Sequence, residues 1–182
     1  MDLDAAAAAV RTLLVALGED PERAGLTRTP ERVAEQLAAA CAGIDADLTG
    51  VLTEGGLVAS DPMEGVVALT RIPFRSTCEH HLSPFRGVAD VYYAPGASVA
   101  GFSRIVEVVE LAARRPQLQE HLGERIADAM FEALRPRGVL VRLRATHECI
   151  ATRRPASADA EAVTIASRGD LPLLTLAVGG SD

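Results

Sequence analysis

Residues 76–85 read STCEHHLSPF, so Cys78, Glu79, His80 and His81 fall in four consecutive positions. A second short group, THEC, carries His147 and Cys149. The chain has only three cysteines and four histidines, and five of those seven residues lie in these two groups. Random scattering would seldom cluster them so. Cys78-x-x-His81 has the spacing of two ligands on a tight turn, and thiolate with imidazole suits zinc. A Cys-x-x-His pair alone is weak, so a third donor decides the matter. His147-x-Cys149 reads as the end of a strand over 139–150, whose period of two would put both side chains on one face. Cys78, His81 and Cys149 would then hold zinc through three protein ligands and leave a fourth position open. That is the catalytic pattern, in which bound water loses a proton near neutral pH. His80 and His147 remain as imidazoles suited to proton transfer. Glu79 would orient a ligand or cap the turn. The H-x-E…P-C-x-x-C signature of zinc deaminases is absent.

These residues need elements to carry them. Residues 4–17 read as a helix stopped at Gly18. Thr29-Pro30 reads as an N-cap with proline in the first turn of a second helix, to about 42. Cys41, near its end, reads as a small apolar residue. Residues 43–65, rich in Gly and Asp, read as a loop. Strands are predicted over 66–74 and 87–93, with CEHH in the connection between them. A helix is predicted over 103–114. Another is predicted from Pro116 to about 134, with Leu118, Leu122, Ile126, Met130 and Leu134 along one face. After the strand over 139–150 a shorter one is predicted over 162–166, and LPLLTLAVGG at the end fits no single element. The order implies an α+β fold, an antiparallel sheet with helices on one face. The expected division is an N-terminal helical segment, 1–45, and a catalytic domain, 46–182.

Bulk properties exclude several classes. At 182 residues a real core can be buried without disulfide staples. An odd number of widely spaced cysteines fits free thiols in a reducing compartment. The acidic start MDLDAAAAAV is unlike a signal peptide, and no apolar run approaches the ~20 residues of a membrane span. The expectation is a soluble cytoplasmic protein with no membrane partner. A net charge of −7 argues against a nucleic-acid partner. All eighteen basic residues are arginine, so any anion must be held by guanidinium forks or backbone N–H groups.

Taken together, CEHH with SPFRG, then GFSR, RRPQLQE and THEC, resemble the motifs of the GTP cyclohydrolase I family in order and spacing. EDPERAGLTRTPERVAE resembles that family's lead-in helix, and the resemblance covers about residues 18–153. It implies a tunnelling fold whose subunits join sheets into a barrel, usually a decameric homo-oligomer with active sites between subunits. It implies zinc on Cys78, His81 and Cys149, and proton transfer by His80 and His147 as the purine imidazole ring opens. Gln119 and Glu120 match the pair that anchors the guanine edge. Ser103 matches a serine near the ribose and phosphates, and Arg32, Arg104 and Arg153 match basic positions for the triphosphate. The implied reaction is hydrolysis of GTP at C8, releasing formate and giving 7,8-dihydroneopterin triphosphate, a step towards pterins and tetrahydrofolate.

The chain departs from the family where the phosphates would sit. Glu35 in TPERVAE and Glu107 in FSRIVE stand where the family usually has basic residues, and Arg154 replaces the usual glycine. Two reversed charges beside a polyanion could cost several kcal/mol. One explanation is drift at surface positions. Another is a paralogue that acts on a guanine nucleotide with fewer phosphates or stops at the ring-opened formamide. A non-catalytic purine-binding zinc protein is a further alternative, disfavoured by the two spare histidines. Reduction of a purine-like ring would need a free nucleophilic cysteine, and the candidate thiols are taken as ligands.

Overall fold

The computed structural model describes residues 1–54, 57–59 and 64–171. The closing stretch that the sequence left ambiguous lies outside them from residue 172 onward. Two compact units divide between Ala42 and Gly43.

In the first unit, α1 (Leu3–Ala16) and α2 (Thr29–Ala40) pack together. Asp2 caps α1 by accepting from the Ala5 N–H at 2.9 Å, satisfying one of the orphan donors of the first turn. After the helix Gly18 takes φ +86°, a conformation that costs glycine nothing. Thr29 is the first residue of α2 rather than its cap, and Pro30 follows it in the first turn.

The second unit is built on a five-stranded sheet. Its strands are β2 (Val67–Cys78), β3 (Pro84–Ala94), β5 (Pro116–Gln117), β6 (Gly138–His147) and β7 (Glu161–Gly169), in the order β5-β2-β3-β6-β7. All neighbours are antiparallel except β5, which runs parallel to β2. Two short strands, β1 (Val58–Ala59) and β4 (Ser98–Val99), pair apart from it. Helices α4 (Phe102–Ala113) and α5 (Gln119–Leu134) cover one face. The apolar stripe expected on α5 is buried at Leu122, Ile126, Met130 and Leu134. Each such side chain contributes about 1.5–3 kcal/mol. A surface i,i+4 pair contributes only about 0.2–0.5 kcal/mol, so the stripe decides how α5 lies. Phe74 and Phe85 meet edge to face beneath the helices, with ring centroids 6.0 Å apart.

Three expectations need correction. Within the stretch read as a loop, α3 (Leu48–Thr53) forms, capped by Asp47 and burying Leu48 and Leu52. Pro116 does not open a helix. Pro116 and Gln117 extend alongside Thr77 and Cys78 as β5, and α5 begins at Gln119. The last strand partner of β6 on the β3 side is Phe85, opposite His147, and on the β7 side it is Glu161, opposite Thr146. Beyond His147 no strand pairing continues among the described residues. The backbone coils instead into α6 (Glu148–Arg153), so Cys149 lies in a helical turn and not on a strand face shared with His147.

Among the described residues no helix is long and apolar enough to cross a membrane.

Candidate metal centre and substrate pocket

Strand β2 delivers Cys78 at its last position, and the chain then reverses through residues 79–83 into β3. Two backbone bonds close the reversal: Cys78 N–H to Ser83 O, and Leu82 N–H to Cys78 O, both 2.8 Å. Leu82 pays for the tightness with a left-handed φ of +50°. The turn swings His81 back over Cys78, so that Nδ1 lies 4.0 Å from Sγ. Cys149 reaches the same place from the start of α6. Single ligand atoms of Cys78, His81 and Cys149 all lie within 4.8 Å of one another. Among the described residues this is the only such cluster of metal-capable side chains.

The donor set fits a zinc ion. With Zn–S near 2.3 Å and Zn–N near 2.0 Å, the edges of a tetrahedron are about 3.5–3.8 Å, so small side-chain shifts would close the cluster around a cation. Two thiolates and one imidazole are soft to borderline donors, matched to zinc rather than to magnesium or calcium. The helical turn at Cys149 makes the convergence possible. It turns the thiol towards Cys78 and His81, whereas His147 keeps the direction set by β6.

The three donors form one side of a pocket of about 280 Å³. His80 and His147 also line it, as do Gln119, Glu120 and Arg153. Gln117, Leu118, Ile150 and Ala162 complete the wall. The imidazole of His147 stacks on Phe85, with centroids 4.7 Å apart and planes 2° from parallel. Its Nε2 lies 2.8 Å from Gln119 Oε1. Burial holds this imidazole below its ordinary pKa, while the Glu120 carboxylate pulls the other way. Glu120, in the first turn of α5, is exposed towards the pocket lumen. Arg153 turns its Nε back to the Cys149 carbonyl at 3.0 Å, tying the end of α6 to its start. A pocket so lined can hold a Lewis acid, exchange protons with a bound ring, and accept hydrogen bonds from ring N–H groups.

Three predicted site residues are elsewhere. Ser103 and Arg104 stand in the first turn of α4 and do not line this pocket. Arg104 is already engaged: its guanidinium donates to Glu107 at 2.8 Å and lies 3.1 Å from Glu54. Arg32 is exposed on α2 of the N-terminal unit. Sequence reasoning missed Phe85 and Gln117. Phe85 meets His147 through strand register, and Gln117 sits beside Cys78 through β5 pairing. Neither has a local signal, because each partner is far away along the chain. Buried Gln117 donates to Ala112 O at 2.7 Å and accepts from Arg125 at 3.3 Å, which braces the wall behind Cys78.

Comparisons with known proteins agree with one another. The family model described as GTP cyclohydrolase I matches residues 6–172. A relative from Leifsonia xyli subsp. xyli, named GTP cyclohydrolase 1, is 47% identical over 163 residues, covering 90% of this chain and 85% of its own. One of the same name from Streptococcus thermophilus is 46% identical, covering 88% and 85%. Another, from Mycobacterium ulcerans, is 46% identical over 170 residues, covering 92% and 83%. Among solved structures, the apo form of the archaeosine synthase QueF-Like superposes with a TM-score of 0.50 at 19% identity. It covers 60% of this chain and 99% of that one. That likeness bears on the fold alone, an α+β tunnelling fold.

Proposed function

The chain belongs to the GTP cyclohydrolase I family, and from that membership we propose that it opens the imidazole ring of a guanine nucleotide at C8. With GTP the reaction consumes water and yields 7,8-dihydroneopterin triphosphate and formate. The observation that carries this reading is the convergence of Cys78, His81 and Cys149 in a pocket that also holds two histidines outside the donor set and a carboxylate.

Zinc on Cys78, His81 and Cys149 would supply the acidity that makes water nucleophilic near neutral pH. The protein's own groups do the rest. Glu120 accepts from the N–H groups of the guanine edge and so aims the imidazole ring at the metal side of the pocket. The resemblance sets Gln119 beside it in that task. His80 and His147 hold and pass the protons that ring nitrogens and the ribose oxygen need as bonds break. Arg153, at the pocket, meets phosphate charge. Ser103 and Arg104 serve ribose and phosphates only if another copy of the chain brings them, which supports a homo-oligomer with sites between subunits, a decamer by resemblance. Arg32 is assigned to the triphosphate on the same resemblance. The domain division, an N-terminal helical segment and a catalytic tunnelling-fold domain, and a cytoplasmic location belong to this reading.

One observation favours a second reading on the phosphates. Glu107 and Glu54 already hold Arg104, so less of its charge is left for a polyanion. A guanine nucleotide with fewer phosphates would then be preferred. Zinc-loaded protein incubated with GTP, GDP, GMP and guanosine, with formate and pterin fluorescence measured, decides between these. Turnover of GTP at low micromolar KM defeats the second reading. Zinc uptake without formate from any of the four defeats the enzyme.

A further inference from the structure

Gln119 is only 3% exposed, although it opens a helix beside a pocket. Its side-chain nitrogen lies 3.0 Å from Ala162 O, 3.3 Å from Leu143 O and 3.2 Å from Thr164 Oγ1. Two of these neighbours are carbonyl oxygens, which only accept. Turning the amide over would press its oxygen against both carbonyls, with only the Thr164 hydroxyl able to donate to it. The nitrogen is therefore the atom that faces β6 and β7, and its two hydrogens are spent there. The oxygen is left to face His147, 2.8 Å from Nε2. An amide oxygen can only accept, so Nε2 must carry the hydrogen.

We propose that Gln119 is a positioning residue that locks His147 as the Nε2–H tautomer, leaving Nδ1 as the one ring atom able to take or give a proton in the reaction. Phe85 completes the lock. It is fully buried, and its ring lies parallel to the imidazole, so His147 cannot tilt off the stack without losing both partners, and a ring flip within the stack would forfeit the Gln119 hydrogen bond. With its nitrogen held by β6 and β7 and its oxygen turned to His147, Gln119 keeps at most one lone pair for the guanine base, and reading of the guanine edge falls chiefly to Glu120. The proposal rests on His147 as a proton-transfer group for its consequence, but not for the tautomer itself.

Two measurements test it. Magic-angle-spinning NMR of zinc-loaded, 15N-histidine-labelled protein has four histidines to separate. His147 is identified by the signal missing from His147→Asn. In the wild-type chain its Nε2 should be protonated and its Nδ1 bare. A Nδ1–H tautomer overturns the proposal whatever the kinetics of the Gln119 variant. In kinetics, Gln119→Leu should keep one zinc per chain and lower kcat by about 10–100-fold with KM changed less than about twofold, the pattern of a group acting on the proton-transfer step. Thr164→Val, which removes one of three acceptors, should show the same pattern weakly, at about threefold or less. A KM raised about tenfold in Gln119→Leu with kcat intact would instead make Gln119 a contact to guanine. Should no guanine nucleotide turn over at all, the proposed function fails while the tautomer result still stands.

Discussion

Three side chains form the cluster that could hold a metal ion, and each is contributed by a different kind of backbone. Cys78 ends a strand, His81 rides a tight turn, and Cys149 sits in a helical turn. Removing one thiolate leaves two donors, too few to hold zinc against exchange with solvent and chelators. Cys149→Ser should therefore lower zinc content from one per chain to under about a tenth, with formate production falling at least about 10³-fold, since the Lewis acid leaves with the thiol. Atomic emission and a formate assay on the same sample check it, and a serine variant that keeps its zinc would remove Cys149 from the ligand set. The two clusters were legible in the sequence because the types are rare and their spacing short. The assignment of Gln119 was not. Its neighbours Leu143, Ala162 and Thr164 lie 24 to 45 positions away, and only folding shows that its amide nitrogen is spent inside the protein.

Elements carry the site through register. β3 and β6 must run close enough for Phe85 to lie opposite His147, and Gly87, two residues on, faces Ala145 in the same ladder. A Cβ at Gly87 would come 1.8 Å from the Arg144 carbonyl oxygen and 2.7 Å from the Ala145 Cα. Neither is a flexible side-chain end, so the strands themselves must part. Gly87→Ala should cost about 1–3 kcal/mol, read as a lower denaturant midpoint at unchanged slope. It should also lower turnover, because the displaced ladder is the one that stacks Phe85 on His147. An unchanged midpoint would mean that the strands separate freely. Further along the same hairpin, the register shifts between Leu69 and Ile72, and the buried carboxylate of Asp90 accepts from the Arg71 N–H at 2.8 Å. Arg71 takes φ +61° there, so the bulge is held by a specific partner rather than by slack.

At the scale of the whole molecule the sheet built by the described residues has open edges. Among the described residues β7 is an edge strand, and Val163 and Ile165 on it are 50% and 44% exposed. A nine-residue edge with apolar side chains standing out from it is a template for pairing with another chain. If subunits join through it, Ile165→Lys should reduce the assembled mass seen by native mass spectrometry, with the circular dichroism of the chain retained. A wild-type chain that runs as a monomer at micromolar concentration would defeat the shared-site reading of Ser103 and Arg104.

The sequence alone determined the residue types of the centre, the α+β order of elements and the family, because these depend on composition, periodicity and short spacing. Those signals are local and survive without a fold. Tertiary structure alone decided that Cys149 leaves the strand, that Pro116 and Gln117 join the sheet, and that Gln119 answers to His147. Each depends on which distant backbone lies alongside: among the described residues the pairing of β6 ends at His147, β2 pairs with Gln117, and β6 and β7 together engage the Gln119 amide nitrogen. A hydrogen bond between residues far apart in the chain leaves no mark on either neighbourhood.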